Sequence, residues 1–363
     1  MHNKTLVLTE TMPTKTNYKF MGWAETAGAT VPKYGPGDLY TVNKDVTLYA
    51  VWKENYNITP TYDSTTRTLT ISGKGDMANY SKNNRPPWDQ YASTAQTVIV
   101  KSGVTSIGTY AFYNFTSLQN VTLEISVKSV QGYAFANCGR LRNVTAGRYI
   151  TIGNRSFSNC TDLKRFNALN TKALIKSMAI SASATDESEE IEIGAYAFEN
   201  CSSLETFDIP EGTISIGASA FSGCESLDNI VIPESITQLE DTVFFDCSSL
   251  ESVEIPESVT EIQDGVFSGC SSLVEIEIPD TVSEIGDQVF SGCTALSIVE
   301  IPEGIEYIGD SVFSNCTALS SISLPESVEY LGDAMFAGCT SLQTIEIPEN
   351  VCSIGDGKFS NCT

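Results

Sequence analysis

Cys316-Thr-Ala-Leu-Ser-Ser-Ile-Ser-Leu-Pro-Glu-Ser-Val-Glu-Tyr-Leu-Gly-Asp-Ala-Met-Phe336 is one pass of a sentence that this chain keeps repeating. From Cys201 a cysteine returns every 23 residues, at Cys224, Cys247, Cys270, Cys293, Cys316, Cys339 and Cys362. Each stands three positions after a phenylalanine, the series running from Phe198 through Phe221, Phe244, Phe267, Phe290, Phe313 and Phe336 to Phe359. In the later pass Leu342-Gln-Thr-Ile345-Glu-Ile347-Pro348, Leu342, Ile345 and Ile347 take the inward positions of a strand, and Thr344 and Glu346 point out. Proline has no N–H for a ladder, so each strand ends at it. A second short extended piece, Val-x-x-Ile-Gly, comes after it, and its glycine is read as the sharp turn into Phe-x-x-Cys, whose phenylalanine fills the core from the opposite side. Units without that glycine, such as those with Glu240 and Gln263, show that the turn tolerates other residues.

A fixed period within roughly 20 to 29 residues, carrying L-x-x-I-x-I, marks a leucine-rich repeat solenoid. The expected fold is a stack of 23-residue units with one continuous parallel β-sheet on one face and short extended and turn segments on the other. Such a stack grows by adding rungs rather than by enlarging one core, so 363 residues do not count domains. One phenylalanine per unit, starting with Phe112, Phe135 and Phe157, gives eleven units over 104–363. Phe115 stands where the first unit's cysteine would fall, as suits an atypical terminal repeat. The step from Cys160 to Cys201 is 41 residues, so one unit carries an 18-residue insertion near 170–190. It runs through Lys172–Ala179, read as one or two helical turns, into an acidic, serine-rich stretch ending at Glu190. A surface loop is the ordinary role of such a segment, and a partner-binding loop the sharper one.

The net charge of −24 is unevenly placed. Residues 1–190 hold 20 Lys and Arg against 14 Asp and Glu, whereas 191–363 hold Lys358 alone against 31 acids. That distal surface repels phosphate backbones and anionic lipid, so nucleic acid is excluded as a partner, and cations or basic protein patches fit better. No run of 18 apolar residues is present, so no transmembrane helix is expected.

Ten of the 11 cysteines are periodic, Cys138 and Cys160 preceding the eight above; Cys352 stands outside the series. Rungs about 4.8 Å apart lie within reach of a disulfide. The odd total and the parallel Cβ vectors of equivalent rungs favour instead free buried thiols acting as small hydrophobes. Ligands 23 residues apart would form a line, not the tetrahedron zinc requires.

Residues 1–53 differ in composition from the rest of the chain. Tyr18-x-Phe20-x-Gly22-Trp23 and a closing Val46-Thr-Leu-Tyr-Ala-Val-Trp52 resemble the Listeria-Bacteroides repeat, also called the internalin B-repeat, which implies a small β module. The opening strand of that family is absent before Leu6, and no signal peptide precedes it. The other end stops at Cys362-Thr363, before the next leucine-bearing strand. Both ends lead to the expectation of a piece cut from a longer, secreted chain. Residues 54–103 are read as the solenoid's N-terminal cap, with Thr68–Ser72 and Thr97–Val100 as strands and Trp88 and Tyr91 covering the first rung.

The quartet Ile-Pro, Ile-Gly, Ala-Phe or Val-Phe, and Cys-x-x-Leu, repeated over 104–363, resembles the BspA-type leucine-rich repeats also found in Treponema surface proteins. The resemblance implies a secreted or cell-surface bacterial protein used for adhesion to host matrix or to other cells, and no catalytic activity. The residues agree with it. His2 is the only histidine, so no Ser-His-Asp or Cys-His pair can form, and 31 acids on one half would produce carboxylate pairs by chance alone.

One constellation is a candidate site. The outward strand position reads Asp208, Val231, Glu254, Glu277, Glu300, Ser323 and Glu346, with Glu275 on the same face. As a solvated face these carboxylates keep a long sheet soluble; as a site they would take calcium or dock a basic partner. A second series after proline (Glu211, Glu234, Glu257, Asp280, Glu303, Glu326 and Glu349) is read as serving solubility alone. The expectation is a monomeric, non-enzymatic adhesion protein without a cofactor, binding a protein or glycan of host or neighbouring cells through Asp208, Glu254, Glu275, Glu277, Glu300 and Glu346. The alternative is a spacer that presents another domain away from the cell.

Overall fold

The computed structural model describes residues 4–8, 13, 18–35, 38–42, 46–54, 58–147, 149–169, 190–210, 212–305, 307–357 and 359–362. His2 and the insertion from 170 to 189, with the helical turns and binding loop read there, lie outside the described residues.

The repeats wind into a β-solenoid held by columns of identical side chains. Eleven phenylalanine rings, Phe112 to Phe359, stack rung upon rung with centroids 5.0–5.8 Å apart and planes within 13° of parallel. Stacked rings are worth about 0.5–1.5 kcal/mol per pair beyond the area they bury. Trp88 continues the column before the first ring, 5.8 Å from Phe112, and its indole N–H donates to the Ala111 carbonyl at 2.8 Å. Facing the rings, Leu118, Leu141, Leu163, Leu204 and their equivalents through Leu319 are fully buried.

The strands divide between two faces. On the first, Thr59–Asp63 pairs antiparallel with Thr68–Ser72, and Thr97–Val100, Asn120–Leu123, Asn143–Gly147, Arg165–Leu169 and Thr206–Phe207 follow in parallel. On the second, the Ile-Gly segments pair in two six-stranded runs, from Gly75–Asp76 to Thr213–Ile216 and from Gln238–Leu239 to Ser353–Ile354.

The first face is not the single continuous sheet expected. Beyond Phe207 it is reduced to the bridges Thr206↔Asn229 and Val231↔Glu254 and one two-stranded pair, Glu275–Glu277 with Ile298–Glu300. The change falls where the Ile-Pro series begins, at Pro210. In an earlier rung Glu124 holds the corresponding position, and its N–H donates to the Val100 carbonyl at 3.0 Å. Proline there has no proton to give, so each later rung loses that bond.

The Ile-Gly glycine has a different role from the turn expected of it. A Cβ on Gly309 would lie 2.5 Å from the Asp287 carboxylate and 2.6 Å from the Gly286 backbone, so the position is small because the preceding rung presses on it. The left-handed residues stand two places before and two after each phenylalanine. The latter set, Asn114, Asn137, Asn159, Asn200, Gly223, Asp246, Gly269, Gly292, Asn315, Gly338 and Asn361, has φ between 55° and 79°. Only Asn, Asp and Gly occur in it, the residues that tolerate this conformation best.

Ahead of the solenoid, Tyr18–Ala24 pairs antiparallel with Tyr49–Glu54. Phe20 packs edge-on to Trp23 and Trp52, at 5.0 and 5.5 Å. Lys4–Val7 pairs antiparallel with Leu39–Val42.

Phe267→Ala removes a central ring of the column and is expected to lower stability by about 3–5 kcal/mol in urea unfolding. A loss under about 1 kcal/mol would show that the column does not hold the rungs together.

Candidate partner-binding face

The candidate face is built by strand alternation. Glu275–Glu277 and Ile298–Glu300 pair in parallel with Glu275 opposite Ile298, Ile276 opposite Val299, and Glu277 opposite Glu300. That register buries Ile276 and Val299 and turns Glu275, Glu277, Ile298 and Glu300 outward. The bridge from Val231 sets Glu254 in the same outward row, with Val231 itself 71% exposed.

No bridge joins the Glu254 strand to the Glu277 strand among the described residues, and a groove of about 490 Å³ lies across that step. Glu254, Glu275, Glu277 and Glu300 all line it, over a floor that includes Pro256, Pro279 and Ile298. Asp208 and Glu346 are exposed in the same row but lie on other rungs, outside the groove. Glu234 and Glu257, read as serving solubility alone, also line it. Sequence reasoning missed them because it took the post-proline series as a separate edge, and missed Ile298 because it looked only for charge.

The charge on this face is uncompensated. Lys101 pairs with Glu124 at 3.2 Å, Arg155 with Glu199 at 2.8 Å, and Lys164 with Glu205 at 3.1 Å. From residue 206 to 357 the chain has no lysine or arginine, so the groove's carboxylates have no basic side chain on their own rungs. Like charges directly across a strand pair destabilise it, as Glu277 and Glu300 do here.

A second acidic row behaves differently. Asp287, Asp310, Asp333 and Asp356 each donate their backbone N–H to the carboxylate of the aspartate one rung earlier, at 2.8, 2.8, 2.6 and 2.7 Å. Those carboxylates serve the fold, and the Asp two places after the Ile or Leu of the second extended piece was their overlooked signal.

The cysteines offer no accessible nucleophile within the column. All 11 are free; Cys138 to Cys339 are buried, Cys362 is half-buried and Cys352 is exposed. Each periodic thiol donates to the carbonyl of the phenylalanine one rung before, at 3.0–3.3 Å. They are thus donors as well as small hydrophobes. Burial pushes the Cys339 thiol up to about 11 and those of Cys201 and Cys293 up to about 12, away from the thiolate a nucleophile or metal ligand needs. Among the described residues no three His, Cys, Asp or Glu side chains are grouped to hold a metal ion. No helix among them is long and apolar enough to cross a membrane.

Below the ordinary thiol value these groups are neutral folded and unfolded; above it the unfolded chain ionises first. Their contribution is therefore present below about pH 9 and lost as pH rises through the folded values. The urea midpoint is expected to fall between about pH 8 and pH 10.5, and a flat profile would contradict the burial. In the native state a thiol reagent is expected to label Cys352 first and the nine buried cysteines only on unfolding.

Comparison with known proteins places this architecture. Residues 90–188, 191–316 and 265–363 match the BspA type Leucine rich repeat region, and residues 1–51 the Listeria-Bacteroides repeat domain. A leucine-rich repeat protein from Bacteroides ovatus is 24% identical over 84% of this chain and 91% of its own, with a TM-score of 0.44. One from Eubacterium ventriosum is 23% identical over 84% and 94%, TM-score 0.47. A leucine rich cell surface protein from Faecalibacterium prausnitzii is 25% identical over 79% and 92%, TM-score 0.42. Comparison with curated proteins found no match.

Proposed function

The chain belongs to the BspA-type leucine-rich repeat family, and from that premise we propose that it is an extracellular or cell-surface interaction protein that holds a macromolecular partner on the outward face around Glu254, Glu275, Glu277 and Glu300. The observation that carries this reading is the groove itself, lined by six exposed carboxylates without basic neighbours beside exposed apolar surface. A face kept only for solubility would scatter its charge and hide Ile298, which is 54% exposed. Asp208 and Glu346 extend the same row on either side and would add reach rather than contact at the groove.

The extracellular setting is what the family resemblance implies, and the module over residues 1–51 points the same way. Binding is preferred to catalysis because the groove's lining holds carboxylates but no histidine, hydroxyl–base pair or low-pKa thiol.

Glu254→Lys/Glu277→Lys/Glu300→Lys in one chain is expected to leave the far-ultraviolet spectrum unchanged. Beads coated with that variant are expected to adhere to cultured epithelial cells or to whole bacteria about fivefold less than wild type. Adherence unchanged by the triple reversal, even at low salt, would discard this face and leave the spacer alternative.

A further inference from the structure

We propose that the groove between the Glu254 and Glu277 strands takes an extended, lysine- or arginine-rich segment of another protein; this rests on the interaction role assigned above and names the partner's chemistry. Three observations narrow the occupant. The carboxylates of Glu254, Glu275, Glu277 and Glu300 have no cationic side chain on any rung from 206 to 357. No bridge joins the two strands at this step, so the carboxylates stand over an unpaired stretch of the wall. Ile298 and the two prolines give an apolar floor. A guanidinium has five donors and no acceptor, and lysine three, on stems that pack along apolar surface. An acceptor-rich groove with an apolar floor matches both halves of such a side chain.

The alternatives fit less well. A glycan platform uses exposed aromatic faces, and no aromatic residue lines the groove. Nucleic acid and anionic lipid are repelled. A second copy of the chain brings a net charge of −24 of its own, and several of its basic side chains are already paired, Arg155 with Glu199 and Lys164 with Glu205 among them.

The spacing suits an extended segment. Side chains on one side of a strand recur about every 6.6–6.8 Å, and the rungs about every 4.8 Å, so alternate basic residues fall between one rung step and two. Their long, flexible stems take up the mismatch.

The test uses the full chain and a fluorescein-labelled octapeptide of alternating arginine and threonine, followed by anisotropy at low salt. Saturable binding is expected, weakened about tenfold or more by Glu254→Gln/Glu277→Gln/Glu300→Gln. Glu225→Gln/Glu284→Gln/Glu329→Gln removes the same charge from exposed positions outside the groove and is expected to change affinity less than about twofold. Equal losses in the two variants, displacement of the peptide by stoichiometric calcium, or no saturable binding would each overturn the proposal. If the charge-reversed chain loses adherence while the wild type ignores the peptide, the basic partner falls and the interaction face stands.

Discussion

Translation by one rung is the constraint on which the structure depends, because it places nearly every side chain beside its own copy. Phenylalanine gains from this, since its neighbours are parallel rings at 5.0–5.8 Å. Cysteine fits because it is small and its S–H reaches the carbonyl of the phenylalanine one rung back. A carboxylate loses, since its neighbour is another carboxylate. The two acidic rows resolve that conflict in opposite ways. The aspartates from Asp264 to Asp333 each accept an amide proton from the following rung and are absorbed into the fold. The glutamates at 254, 277 and 300 have no such donor and keep their charge for the solvent, or for whatever replaces it.

Proline decides how firmly the first face is knitted. Before Pro210 the rungs make a seven-stranded sheet; after it, bridges and one short pair remain. The lost bonds are offset on the other face, where paired two-residue strands continue to Ser353–Ile354, and in the core columns. A solenoid can loosen one wall in this way because each rung is held by its neighbours at several points of its circumference.

Much of this was legible in the sequence. The period and the inward pattern fix the solenoid, the buried leucines and the phenylalanine column, because a repeated residue in a repeated register has only one place to go. The outward row was legible for the same reason, down to Glu277 opposite Glu300. What escaped was contact between rungs. The glycine of Ile-Gly looks like a turn residue within its own unit, and only stacking brings Asp287 against Gly309. The groove escaped likewise, since it depends on a step where two adjacent strands fail to pair, which no single unit contains.

Proline and like charge meet on the same rungs. Pro256 and Pro279 remove a donor from each rung at the end of the strand, and Glu254 and Glu277, two positions before them, set like charges side by side along what remains. Like charge does not by itself undo the pairing, since Glu277 and Glu300 stand opposite each other in the one short pair that remains. Val231 precedes the run of Glu254, Glu277 and Glu300 and Ser323 follows it, so the repulsion is confined to three rungs. A cation brought to those rungs would relieve the repulsion.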